Sequence, residues 1–102
     1  MDLTQPPDID VALRVLLEQP SYGAQVLIVT ARMLEMDARQ PMKAGSREQA
    51  LDIAIDSILS TLPDPVAKDS VARMYHALPP LAPQGTRGEY ALRLRAAARD
   101  LG

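Results

Sequence analysis

Tyr22–Arg39, which reads YGAQVLIVTARMLEMDAR, decides the fold. At about 100° per residue, Tyr22, Val26, Val29, Met33 and Met36 fall on one face. Ala24, Leu27, Ala31, Leu34 and Ala38 fall on a second. Gln25, Arg32, Glu35 and Arg39 make the polar strip. A helix that is apolar over most of its circumference is buried among neighbours. This stretch is therefore predicted to be the central helix, with the rest of the chain packed on it.

Its borders are marked on both sides. Ser21 is a helix cap, and the helix fades by Gln40, before Pro41. Upstream, Met1–Pro7 is polar and Pro-rich and reads as a loose arm. Asp8 caps a helix over Ile9–Gln19, with Ile9, Leu13, Leu16 and Leu17 pointing one way and Val11 and Val15 beside them. Pro20 ends it, because the residue before proline avoids the α region.

Downstream, Met42–Gly45 reads as a loop. Ser46 and Gln49 have capping-box spacing and open a helix with Leu51, Ala54, Ile55, Ile58, Leu59 and Leu62 on one face. Pro63 stops it. Asp64 followed by Pro65 is an N-cap with proline at the first helical position. That helix runs to about Leu78 and buries Ala67, Val71, Met74, Tyr75 and Leu78. Residues 79–85, with Pro79, Pro80 and Pro83, form an extended connector closed by Gly85, read as a strap along the core. Thr86 and Glu89 are a second capping box. The last helix runs to about Leu101 and buries Tyr90, Leu94, Ala97, Ala98 and Leu101. No period-2 run is long enough for a strand. The expectation is an all-α single domain over residues 1–102, with five helices in an irregular orthogonal array around Tyr22–Arg39.

Composition bounds the function. A chain of 102 residues is one domain's worth. With 47% apolar and 24% charged residues it has the makings of a core and not of a disordered chain. Three Tyr, with no Phe and no Trp, make that core aliphatic. A net charge of −2 disfavours a general nucleic-acid or acidic-membrane binder. The absence of Cys removes disulfides, a thiol nucleophile and thiolate metal sites, and fits a cytoplasmic location. The N-terminus lacks the basic-then-apolar layout of a secretory signal. The longest apolar run, Val26–Val29, is too short to span a bilayer.

Few residues invite chemistry. His76, the only histidine, falls off the apolar face of its helix, and the neighbouring Arg73 and Asp69 are at salt-bridge spacing with each other. General acid–base work needs a partner within hydrogen-bond reach, and no second ligand stands at i+4 for a metal. Ser21, Ser46 and Thr86 are read as caps and not as nucleophiles. Gly85-Thr86-Arg87-Gly88 before a helix could hold an anion on free N–H groups. It lacks the Lys and the glycine spacing of a phosphate loop, so a turn plus capping box is the plainer reading. No catalytic residue, cofactor or metal is expected, and the chain is read as a non-enzyme.

Charges and stray apolar residues say more. Asp10 with Arg14, Arg14 with Glu18, Glu35 with Arg39, Asp69 with Arg73 and Glu89 with Arg93 are matched at i,i+4 and mark solvated faces. Asp52 with Asp56, and Arg95 with Arg99, are like charges one turn apart, which is mildly unfavourable. Helix dipoles offset them, or the last helix lies beside the Asp-bearing one so that the pairs bridge, or one set meets a partner. Ile28 sits within the polar strip near Arg32, and Ile53 lies opposite the buried face of its helix. Both are either covered by the domain's own helices or halves of an interface.

Leu17-Glu18-Gln19-Pro20-Ser21-Tyr22-Gly23 resembles the first-helix junction of PadR-type winged-helix regulators over seven residues. Beyond it the chain departs, with no strand pair for a wing and no basic recognition helix at the expected place, so no functional residue carries over. The expected function is a small interaction protein: a regulator, adaptor or inhibitor that docks on another protein or on a second copy of itself as a homodimer. Ile28, Arg32, Ile53, Asp52, Asp56, Arg95 and Arg99 are its candidate contacts. The alternative is a DNA-binding regulator of helix-turn-helix type that sets the last helix, with Arg87, Arg95 and Arg99, against phosphate.

Overall fold

The computed structural model describes residues 19–102. Four helices follow one another: α1 Tyr22–Glu35, α2 Ala44–Leu59, α3 Asp64–Ala77 and α4 Arg87–Leu101. The fold is all-α; among the described residues the only β-type pairing is an isolated antiparallel bridge between Pro41 and Thr86. The predicted N-terminal arm, and all but the last residue of the predicted helix over residues 9–19, lie outside the described residues.

One apolar core joins the four helices. Leu27, Leu51, Met74 and Leu94, one from each, are fully buried. Each such side chain contributes about 1.5–3 kcal/mol through the apolar surface it removes from water. α1 is the central element: it packs most extensively on α4, then on α2, then on α3. Its Thr30 is fully buried and meets the cost of burying a hydroxyl by donating to the Val26 carbonyl at 2.8 Å.

α1 and α4 run antiparallel and are tied at both ends. At one end the Ser21 N–H donates to the Gly102 carbonyl at 2.9 Å. At the other, the Gly88 N–H donates to the Ala38 carbonyl at 2.9 Å and the Arg87 N–H to the Gln40 carbonyl at 2.8 Å. Glycine at 88 suits this close approach, since a Cβ there would stand 3.0 Å from the Ala38 Cβ and 3.2 Å from the Ala38 carbonyl oxygen, which would have to give way. Gly23 lets α1 approach α3 and α4 in the same way: its Cβ would meet the Ser70 carbonyl oxygen at 3.1 Å and Leu101 at 3.2 Å.

Local signals held where the chain is its own partner. The Ser21 Oγ accepts from the Ala24 N–H at 3.2 Å. Thr86 and Glu89 form the full capping box, with both reciprocal hydrogen bonds present. The 79–85 connector lies on the core as a strap: Leu78 and Leu81 pack against it, and the Tyr90 hydroxyl donates to the Pro79 carbonyl at 2.6 Å.

Tertiary partners overrode other local signals. α1 ends at Glu35 and not at Arg39. Past that end, the carbonyls of Ala38 and Gln40 accept from the start of α4. α2 starts at Ala44, with Lys43 in the cap position and no side-chain cap. Ser46 is therefore inside the helix, and its Oγ accepts from Arg87 Nη2 at 3.3 Å. Asp64 is the first helical residue of α3, and Pro63 occupies the cap position. Tyr75, predicted buried, is 43% exposed, and on the presumed inner face of α1 Tyr22 is 43% and Met36 81% exposed. α1 is thus covered on the sides that meet α2, α3 and α4; its Tyr22–Met36 face is exposed at the two ends, while Val26 between them is fully buried and Val29 and Met33 pack partly against the core.

Candidate docking surface

Exposure on the Tyr22–Met36 face of α1 rises past Val26 toward Met36. Val29 and Met33 are half-buried at its middle, and Met36 stands one turn beyond Met33. Beside them α2 presents the outer positions Gln49, Asp52, Ile53 and Asp56, all exposed. Met33 and Leu34 of α1 and Ser46, Gln49, Ala50 and Ile53 of α2 line a shallow groove of about 150 Å³, with Arg87 among its walls. Arg87 is held by Asp37 at 3.5 Å and by the Ser46 Oγ at 3.3 Å. Ile53 is 51% exposed, so it forms a lip of that groove and not part of the core.

The two isoleucines separate. Ile28 packs against the domain's own core, whereas Ile53 reaches into solvent. The charges separate as well. Arg95 is engaged: its Nε and Nη2 donate to both carboxylate oxygens of Glu35 at 2.8 and 2.7 Å. That bidentate bond is the first cause holding the Glu35 carboxyl below the usual range. The predicted local pair of Glu35 with Arg39 gives way to this long-range one. Bridging between the Arg95–Arg99 and Asp52–Asp56 pairs does not form, because α4 packs chiefly on α1 and its side-chain bonds to α2 are at the start of that helix, Arg87 to Ser46 and Arg47 to Tyr90. Arg99 is exposed and has no ion pair among the described residues, whose ion pairs are Arg47–Glu48, Asp69–Arg73, Asp37–Arg87 and Glu35–Arg95.

Among the described residues Asp52 and Asp56 have no cation partner, and both are exposed along α2. Their field reaches the next helix. Burial first, and then the Glu48 and Asp52 carboxylates, push the Tyr75 phenol above its ordinary value. On the other flank, Arg32 is exposed on α1, adjacent to Met33 and one turn before Met36. The exposed apolar side chains here are Met36 and Ile53, with the half-buried Met33 lining the groove beside Ile53; Arg32 is exposed on α1, and Asp52 and Asp56 on α2. Sequence reasoning named Ile53, Asp52, Asp56 and Arg32 as candidate contacts and placed Met33 and Met36 inside; Met33 does pack against the core, whereas Met36, past the end of α1, is 81% exposed.

The glycine turn before α4 cannot hold an anion on its backbone. The first four N–H groups of α4 are all taken: Arg87 by Gln40, Gly88 by Ala38, Glu89 by the Thr86 hydroxyl at 3.2 Å and Tyr90 by the Thr86 carbonyl at 3.0 Å. His76 is exposed. No group of three or more His, Asp or Glu among the described residues is placed to hold a metal, and no helix among them is long and apolar enough to cross a membrane. Comparison with protein-family models, with curated proteins and with solved structures finds no match for this chain.

Proposed function

We propose that this chain is a small interaction protein that works by docking, and that its simplest mode is a homodimer through the Met36–Met33–Ile53 strip. The observation that supports this reading is the arrangement of the strip's edges. Arg32 lies along one edge and Asp52 and Asp56 along the other. A twofold axis through an apolar strip with opposite charges on its two flanks sets each Arg32 against the aspartates of a second copy. Such a surface is self-complementary, as a twofold interface requires. Methionines suit the centre, because their unbranched side chains adapt to an opposing surface. An acid–base edge that fixes register also relieves the like-charge repulsion of Asp52 and Asp56.

Sedimentation velocity over a range of concentrations tests it. Ile53→Asp is expected to leave the fold intact, since Ile53 is outside the core, and to shift the protein to monomer. Arg32→Asp is expected to weaken association tenfold or more, and Asp56→Arg in the same chain to restore it. A wild type that sediments as a monomer at every concentration, or a charge reversal without effect, refutes the homodimer. The DNA-binding alternative is left with little support in α4: Arg95 and Arg87 are committed to Glu35 and Asp37, and of the three cations invoked only Arg99 stays unengaged.

A further inference from the structure

The strap between α3 and α4 carries a pattern that packing on the core does not exhaust. Leu78-Pro79-Pro80-Leu81-Ala82 lies in neither helix nor strand. Pro83 then opens a turn, closed by the Gly85 N–H on the Ala82 carbonyl at 3.2 Å. Proline fixes its own φ at about −65° and holds the residue before it extended. Leu78, Pro79 and Ala82 all precede prolines, and Leu78 stands at φ −65° and ψ 125°. These restraints favour polyproline II geometry, which repeats every three residues.

That repeat sorts the strap into three edges. Leu78 and Leu81 form the first and pack against the core. Pro79 and Ala82 form the second and are half-buried, and Pro80 and Pro83 form the third and are exposed. The strap is held from beneath, where the Tyr90 hydroxyl donates to the Pro79 carbonyl at 2.6 Å. Among the described residues nothing donates to the Pro80 or Leu81 carbonyl. Prolines have no N–H, so the outer strap offers ring faces and acceptors. Beside it, Arg93 of α4 is exposed next to Ala82 and Gly85. Arg93 has no ion pair among the described residues.

The matching chemistry is a row of Trp and Tyr side chains. Their faces pack on proline rings while their N–H and O–H groups donate to the free carbonyls. A carboxylate at the rim would meet Arg93. Grooves of this kind read polyproline II segments, whose fixed geometry leaves little ordering to lose on binding. We propose that the Pro79–Pro83 strap is a ligand for an aromatic-lined, acid-rimmed groove on a different protein. The groove reads the Pro79–Ala82 and Pro80–Pro83 edges, while the leucine edge stays on this domain's core. A second copy does not supply it: the chain has no Trp and no Phe, and its exposed Tyr22 and Tyr75 stand on different helices.

Purified SH3 and WW domains, which bind polyproline II segments through aromatic grooves, serve as probes. Each is titrated into the isotope-labelled full chain and followed by amide NMR shifts. At least one is expected to bind with a Kd below about 1 mM, moving the amides of Leu81, Ala82 and Arg93 foremost. Pro80→Ala and Pro83→Ala are each expected to weaken that binding at least tenfold. Both prolines are exposed, so Tm should move by less than about 2 °C, which separates lost binding from lost folding. Arg93→Glu is expected to weaken binding at least threefold at low salt, and less at high salt. Absence of binding by both probes at about 1 mM, or binding that both proline variants leave unchanged, overturns the proposal. Shifts confined to other surfaces overturn it too, and an Arg93 reversal without effect refutes the acidic rim.

Discussion

Removing one oxygen atom, in Tyr90→Phe, tests how the proline strap is fastened. Tyr90 is 2% exposed. Its hydroxyl donates to the Pro79 carbonyl at 2.6 Å and accepts from Arg47 Nη1 at 3.4 Å. The first bond is short and joins residues eleven apart across the strap; the second is long and adds little. A buried hydrogen bond is worth about 1 kcal/mol net, and leaving its acceptor unpaired costs about 1–3 kcal/mol. The Pro79 carbonyl belongs to a half-buried residue that water can partly reach, so the expected loss is about 1–2 kcal/mol. In a domain of this size that lowers Tm by roughly 5–12 °C. A pH dependence accompanies it. Burial pushes the Tyr90 phenol above its ordinary value of 10.0, so folding favours the protonated form. That contribution is fully present below the unfolded value, near pH 10, and is lost as pH rises through the higher folded value. Urea titrations from pH 8 to pH 11 should therefore show the wild type losing stability on the alkaline limb. The variant should start lower and lose less, with Tyr75, also raised, accounting for part of what remains. A Tm within 1 °C of wild type, together with an unchanged alkaline limb, would refute the role given to this hydroxyl.

Three further outcomes follow from the same geometry. Leu27→Ala removes a fully buried side chain from the middle of α1 and should cost about 3 kcal/mol in a denaturant melt, whereas Ile53→Ala should move the midpoint very little. Thr86→Ala breaks the capping box and should cost about 1 kcal/mol at neutral pH. The Glu89 carboxyl is held below its ordinary value first by the Thr86 backbone N–H and then by the Thr86 side chain, so its contribution is present above the unfolded value of about 4.5 and fades as pH falls through the folded one; because alanine keeps the backbone donor, the acid limb of the variant should flatten only in part. Arg95→Gln removes a bidentate but solvent-accessible pair with Glu35, so melts at low salt should show a loss below about 1 kcal/mol, shrinking further in 1 M salt.

Fold class, helix number after residue 20 and several helix ends were legible in the residues. Ser21, Thr86 with Glu89, and the stops at Pro63 and Pro79 act through bonds to their own neighbours, and local bonds can be read locally. The Leu51–Leu62 stripe likewise named the inner face of α2, because it is the only apolar face that helix has. α1 has two, and there the reading failed in an instructive way. Val26 and Leu27 went inside, whereas Met36, on the same face as Val26, lies past the end of the helix at Glu35 and is 81% exposed.

Sequence alone determined that this chain makes amphipathic helices of set length, broken by prolines and capped by hydroxyls, around an aliphatic core. Each of those follows from interactions within a few residues. Only the tertiary structure decided that Glu35 belongs to Arg95, sixty residues away, that Ala38 and Gln40 cap the last helix, and that Gly23 and Gly88 are points of close approach. It also decided which apolar side chains stay exposed, Ile53 and Met36 among them. Those outcomes depend on which surfaces compete for one another once the helices meet, and that competition is won by long-range geometry rather than by any residue's own preference.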